Sequence, residues 1–318
     1  MLSSHVVSGG RNKTRKSRSL WKDGLRRLSR NGAAIIGGCI VFALVILAVG
    51  AGWIAPYHYT DGRVIDNYLH PNGEHLMGCD FMGRDLMSRL IYGTRVSLSA
   101  AVVGAFTSFF IGVSYGLISG FAGGKVDNAM MRFVDIMYGF PTLILIILLM
   151  VFFKSTFSNI EPGTFRGALS ALDARMGGMF FIFVGIGITS WLGMARLVRG
   201  MTLSVREKEY IEATRAIGAP KLRILFRHVF PNVLGPAIVA QALAIPGFIL
   251  YEAFLSFIGL GVNPPMPSWG MMLSEGYVAM RSHPHLVLFP AIAISLTLFA
   301  FNFLGDGVRD AFDPKQVG

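Results

Sequence analysis

The sequence predicts an all-α integral membrane fold of six transmembrane helices with both termini on the cytoplasmic side. Three observations carry that reading. Of the 318 residues, 53% are hydrophobic and only 15% charged, against about 25% charged in soluble domains. The apolar residues are gathered into long runs, and a helix crosses a hydrocarbon core of about 30 Å in roughly 20 residues. The basic residues stand in short clusters beside those runs, which is how loops on the cytoplasmic side are marked.

Six runs are long enough: 33–55, 97–121, 130–153, 177–195, 233–251 and 286–304. The first is free of charge. It follows some 30 polar residues and exceeds the apolar length of a signal peptide, about 7–15 residues, so it reads as an uncleaved helix. Nine of the 29 basic residues precede it, with Asp23 the only acid among them. Within that segment Trp21, Leu25 and Leu28 share a helical face opposite the basic residues, predicting a short helix over 19–30 on the inner membrane surface. Residues 1–18 read as disordered. The net charge of +11 is thus spent on membrane orientation and lipid contact rather than on nucleic acid. Residues 1–32, 33–96 and 97–318 are expected to form a basic amino-terminal segment, a first span with its external segment, and a five-helix core.

With the amino terminus inside, six crossings place loop 199–231 inside as well, and that loop is again basic. It reads as helix, break, helix. Gly218 stands where a left-handed residue ends the first helix, Pro220 suits the first turn of the second, and Pro231 ends that helix or opens the fifth span. Leu222, Leu225, Phe226 and Val229 form an apolar stripe, with Lys221, Arg223 and Arg227 on other sides. Such an amphipathic surface is suited to a partner or, more blandly, to lying against the bilayer.

Glu212-Ala213-Thr214, three residues, Gly218, nine residues, then His228-Val229-Phe230-Pro231 resembles the EAA motif of ATP-binding-cassette importer permeases: E-A-A, three residues, G, nine residues, I-x-L-P. Thr214, His228 and Phe230 depart from that pattern. Gly78-Cys79-Asp80-Phe81-Met82-Gly83-Arg84-Asp85 resembles the G-T-D-x-x-G-R-D stretch of C-type oligopeptide and dipeptide permease subunits, with Cys79 in place of Thr. Segments 255–270 and 302–314 also resemble that family.

The resemblance implies a type I importer permease fold in a bacterial or archaeal cytoplasmic membrane. It implies a homologous second permease, two cytoplasmic ATPases that hold the ATP and magnesium, and an external substrate-binding protein. Glu212, Ala213, Thr214, Gly218 and Pro231 then belong to a coupling contact with an ATPase. The cargo is expected to be a di- or oligopeptide, with nickel or another small solute as the alternative. A stand-alone secondary transporter is the rival from another class; it leaves the loop unexplained, and clear internal repeats are lacking. An enzyme is disfavoured because no reactive constellation is evident, and Gly120-Phe-Ala-Gly-Gly-Lys125 is a turn rather than a phosphate loop.

Within the spans, Asp135 is expected to pair with Arg132, and Pro141 to kink its helix or pack. Glu252 is placed at the outer interface of the fifth span, and His283 and His285 lack further ligands for a metal. The stretch 154–178 is long enough for an extra external element. Cys79, in a polar loop, is expected to react with an impermeant thiol reagent from outside, and Cys39 to be protected in the first span.

Overall fold

A computed structural model describes residue 24 and residues 26–157 and 164–312. Among these residues the protein is helical, with only two isolated β-bridges, Gly62 to Arg84 and Cys79 to Asp85. Ten helices organise it: α1 Gly32–Ile54, α2 Leu86–Ala122, α3 Gly124–Tyr138, α4 Thr142–Phe157, α5 Phe165–Arg175, α6 Met179–Arg206, α7 Glu209–Ala216, α8 Lys221–Phe257, α9 Trp269–Val278 and α10 His285–Phe312. Five of them (α1, α2, α6, α8 and α10) are each long and apolar enough to cross a membrane, and the bent pair α3–α4 supplies a sixth crossing if taken as one span.

Five of the six predicted runs lie, to within two residues at their ends, in a single helix, the third being divided between α3 and α4, and most of the helices are longer than the runs. α2 begins at Leu86 because Asp85 caps it, accepting the Ser88 amide at 2.7 Å. α6 continues to Arg206, and α10 to Phe312. α1 starts at an Asn31 cap, whose side chain accepts the Ala34 amide, and it sits at the edge of the bundle. Ile36, Phe42 and Val49 on it are all more than half exposed, as lipid-facing side chains are. Residues 24 and 26–28 are helical and lie against the end of α10, where a Cβ at Gly24 would meet the Ala311 carbonyl at 3.4 Å. Trp21 and Leu25 of the expected surface helix lie outside the described residues, as do 1–18.

Two of the apolar clusters hold the central helices together. Val96, Ile146, Met150, Phe181, Ile182, Ile186, Phe248 and Leu255 join α2, α4, α6 and α8. Val113, Leu117, Val198, Ile211, Ile224, Val229 and Val233 join α2, α6, α7 and α8 beside the loop 199–231. Between them α2 and α6 approach through small residues. A Cβ at Gly116 would stand 2.5 Å from the Ala195 carbonyl, so only glycine permits the contact.

The third run is not one straight span. Its axis turns by 79° between α3 and α4, at Gly139-Phe140-Pro141. Proline removes an amide and clashes with the preceding turn, and here the break is complete rather than a kink. Asp135 does not pair with Arg132; it accepts Arg196 Nη2 of α6 at 2.7 Å. Spacing along one helix made the first pairing visible, and only the fold brings Arg196 near. Glu252 is likewise not at an interface. It is fully buried and accepts the hydroxyls of Ser97 at 2.8 Å and Ser256 at 2.7 Å, tying α2 to α8. α5 supplies helical structure in the long stretch 154–178, of which 158–163 lie outside the described residues.

The segment between α1 and α2 is folded around buried charge. Asp80 accepts the amides of Met82 and Arg84, Arg84 Nε at 2.7 Å, and Arg89 Nη1. Arg89 reaches on to Glu275 of α9 at 2.6 Å. Asp85 takes His75 Nδ1 at 2.9 Å besides capping α2. Cys79 sits inside this knot and is fully buried, not exposed as its place in a polar loop predicts. Its thiol is pushed up to about 12, by burial first and then by the Asp85, Asp66 and Asp80 carboxylates.

Candidate functional site

The loop singled out in the sequence is built around one short helix. α6 ends at Arg206, Glu207 and Lys208 turn the chain, and α7 runs from Glu209 to Ala216. Its end is a Schellman motif. The Gly218 amide donates to the Arg215 carbonyl at 2.9 Å and the Ala219 amide to the Thr214 carbonyl at 3.3 Å, with Gly218 at φ +81°. That left-handed geometry is the physical reason for a glycine at this position. Thr214 is half-buried, and its hydroxyl donates back to the Tyr210 carbonyl at 2.6 Å.

One residue anchors α7. Ile211 is fully buried in the cluster formed by Leu117, Val198, Ile224, Val229 and Val233, worth about 2–3 kcal/mol of apolar burial. The remainder of α7 faces outward. Glu212, Ala213 and Gly218 are all exposed. The Glu212 carboxylate has no hydrogen-bond or ion-pair partner among the described residues.

After Pro220 the chain does not make a separate second helix. It enters α8 directly, passing through a π-helical stretch at Leu225–Val229. Pro231 does not end the helix; it lies exposed in the first turn of Phe230–Phe257, after the π stretch, where the fifth span is expected to open. Proline offers no amide to the turn before it and crowds its carbonyl, and a widened turn accommodates both. This change of register divides the expected apolar stripe. Leu225 and Val229 are buried, whereas Leu222 is 69% and Phe226 62% exposed. Ile217 is likewise 83% exposed, and Arg215, Lys221, Arg223 and Arg227 in the same stretch of chain are exposed as well.

The predicted residues are thus brought to one end of the molecule. Glu212 and Ala213 are exposed on α7, Gly218 is exposed just past its end, half-buried Thr214 bonds back to Tyr210, and Pro231 follows the π stretch inside α8. Sequence reasoning missed Ile211 as the anchor and the ion pairs that fasten α6 to its neighbours. The pair Asp127–Arg199, at 2.6 Å, carried no local signal because its partners are far apart in the chain.

Elsewhere, His70 joins His283 and His285, with ring centroids 5.2 Å from each. Among the described residues no group of three His, Cys, Asp or Glu is arranged to hold a metal ion.

Comparison with known proteins agrees with this architecture. Residues 112–318 match the family model described as binding-protein-dependent transport system inner membrane component. Residues 19–71 match the N-terminal TM domain of oligopeptide transport permease C. The oligopeptide transport system permease protein OppC of Haemophilus influenzae is 43% identical, covering 95% of this chain and 90% of that protein. The dipeptide transport system permease protein DppC of Bacillus subtilis is 39% identical, covering 95% and 88%. The glutathione transport system permease protein GsiD of Pectobacterium atrosepticum is 38% identical, covering 94% and 92%. A chain of the MetNI methionine ABC transporter, solved in inward facing conformations, superposes with a TM-score of 0.56 at 19% identity. It covers 71% of this chain and 97% of its own, a likeness of fold. This chain belongs to the family of binding-protein-dependent transport system inner membrane components: it is a multi-pass membrane permease.

Proposed function

We propose that this chain forms half of the translocation pathway of an ATP-driven importer of di- or oligopeptides. A homologous second permease completes the pathway. Two cytoplasmic ATPases bind the ATP and magnesium and carry out hydrolysis, and an external binding protein delivers the cargo. Both termini and the α6–α8 loop face the cytoplasm, as the basic clusters favour. The peptide cargo is favoured by relatives named for oligopeptide, dipeptide and glutathione transport.

The observation that carries the coupling role is the contrast within α7, where Ile211 is fully buried and Glu212 is exposed and unpaired. A docked ATPase that meets Glu212, Ala213, Thr214 and Gly218 can push on the helix, and Ile211 passes the push into the bundle. Pro231 marks where α8 receives it.

The test is purification of the tagged chain from its native membrane in mild detergent, beside the Glu212→Arg variant. The second permease and the ATPases are expected with the wild type. The variant is expected to fold with unchanged thermal stability and to lose most of its ATPase content. Wild-type chain purified alone, still moving solute after reconstitution, would contradict the importer reading. Uptake of nickel but not peptide by the intact assembly would contradict the cargo.

A further inference from the structure

α3 is fastened to its neighbours along its length. At its first turn Asp127, itself buried, accepts Arg199 Nε at 2.9 Å and Nη2 at 2.6 Å, and the Ser119 hydroxyl at 2.5 Å. Near its other end Asp135 accepts Arg196 Nη2 at 2.7 Å, and the same guanidinium lies 4.1 Å from the Tyr138 ring centroid. Between these points the Tyr115 hydroxyl of α2 donates to the Met130 carbonyl at 2.8 Å. Val134, fully buried, packs with Met131 against Trp191, Leu192 and Ala195 of α6. Beyond Tyr138 the chain is held differently: it turns by 79° through Gly139-Phe140-Pro141 into α4.

The two arginines belong to α6, the helix that leads into α7. At its last residue Arg206 donates to the carbonyls of Gly120 and Phe121 at 3.2 and 3.3 Å, fixing the end of α2 as well. α7 and α3 are therefore attached to one rod. Apolar packing alone lets helices slide and turn, whereas a two-pronged guanidinium–carboxylate pair fixes both distance and orientation. A joint with glycine on one side and proline on the other is where such a rod bends its neighbour.

We propose that Asp127 and Asp135 are positioning residues that make α3 move as one body with α6. Displacement of α7 is then delivered to the joint at 139–141 and so to α4. The inference deepens the coupling reading of α7 and rests on it. Asp127, enclosed and held by two side chains, is the principal fastening; Asp135, exposed in the single chain, is the lesser one.

The experiment uses the complete importer, with both permeases, the ATPases and the binding protein, in proteoliposomes. Peptide uptake, ATP hydrolysis and ATPase content are measured on the same preparation. For Asp127→Asn, ATPase content stays at the wild-type level and uptake per ATP hydrolysed falls by about tenfold. Ser119→Ala, which removes one hydroxyl, lowers the same ratio by about twofold. Asp127→Asn combined with Arg199→Gln no longer leaves an arginine without its acid. Its thermal stability returns toward wild type while uptake per ATP stays low. Uptake per ATP that is unchanged in Asp127→Asn and Ser119→Ala, or that recovers with stability in the double variant, overturns the proposal. ATPases missing from the wild-type preparation would instead overturn the reading of α7, so the two failures are separable.

Discussion

The knot before α2 and the loop between α6 and α8 are both connections between long helices, and they are built on opposite plans. In the knot, Asp80, Arg84, Asp85 and Arg89 are all at most 5% exposed, and nearly every charge meets another. In the loop, Glu212, Arg215, Lys221 and Arg223 point outward, and within α7 Ile211 is the one residue fully drawn in. A buried ionic network fixes one geometry at a considerable desolvation cost, while an exposed, unpaired surface around a single anchor leaves its contacts for another protein to make. On the coupling role proposed for α7, the difference separates the part of the molecule that holds shape from the part that receives force.

That contrast breaks most visibly at Asp80. Replacing it by Ala leaves Arg84 and Arg89 buried without their shared acid, a loss of about 3–5 kcal/mol. The variant is expected to yield little monodisperse protein in detergent, with a much lower unfolding temperature; near-normal stability would show that the knot is not rigid. Ile211→Ala in the loop is expected to cost about 2–4 kcal/mol, and hydrogen exchange should rise in α7 while the knot stays protected. Exchange rising equally in both regions would contradict the separation.

The smallest expected effect is at Cys79. With its thiol held near 12, the thiolate is roughly one part in ten thousand at pH 8. An impermeant maleimide should leave it unmodified until the protein is unfolded, although the segment lies outside the membrane. Fast labelling of the native protein would mean that the knot opens.

The six apolar runs were legible because lipid-facing helices such as α1 need an unbroken apolar surface. Their ends were not legible. Arg89 and Arg95 interrupt the hydropathy before position 97, yet Arg89 is 1% exposed and part of α2, its charge met by Asp80 and Glu275. Gly218 was readable because a left-handed helix end demands that residue. The π stretch at Leu225–Val229 was not, since period counting assumes a uniform helix, and so Leu222 and Val229 were assigned to one face that the structure divides. Asp135 and Glu252 show the same limit. Their partners Arg196 and Ser97 lie on other helices, and no local spacing points to them.

The central claim is that the exposed face of α7 meets an ATPase, and a photo-crosslinking side chain in place of Ile217 tests it most directly. Ile217 is 83% exposed beside the Gly218 turn, and the same probe at Val64, 84% exposed in the external segment, serves as the control. In native membranes the Ile217 probe is expected to crosslink to the ATPase and the Val64 probe not to. Crosslinks from Ile217 to lipid alone, or to the ATPase equally from both positions, would contradict the account.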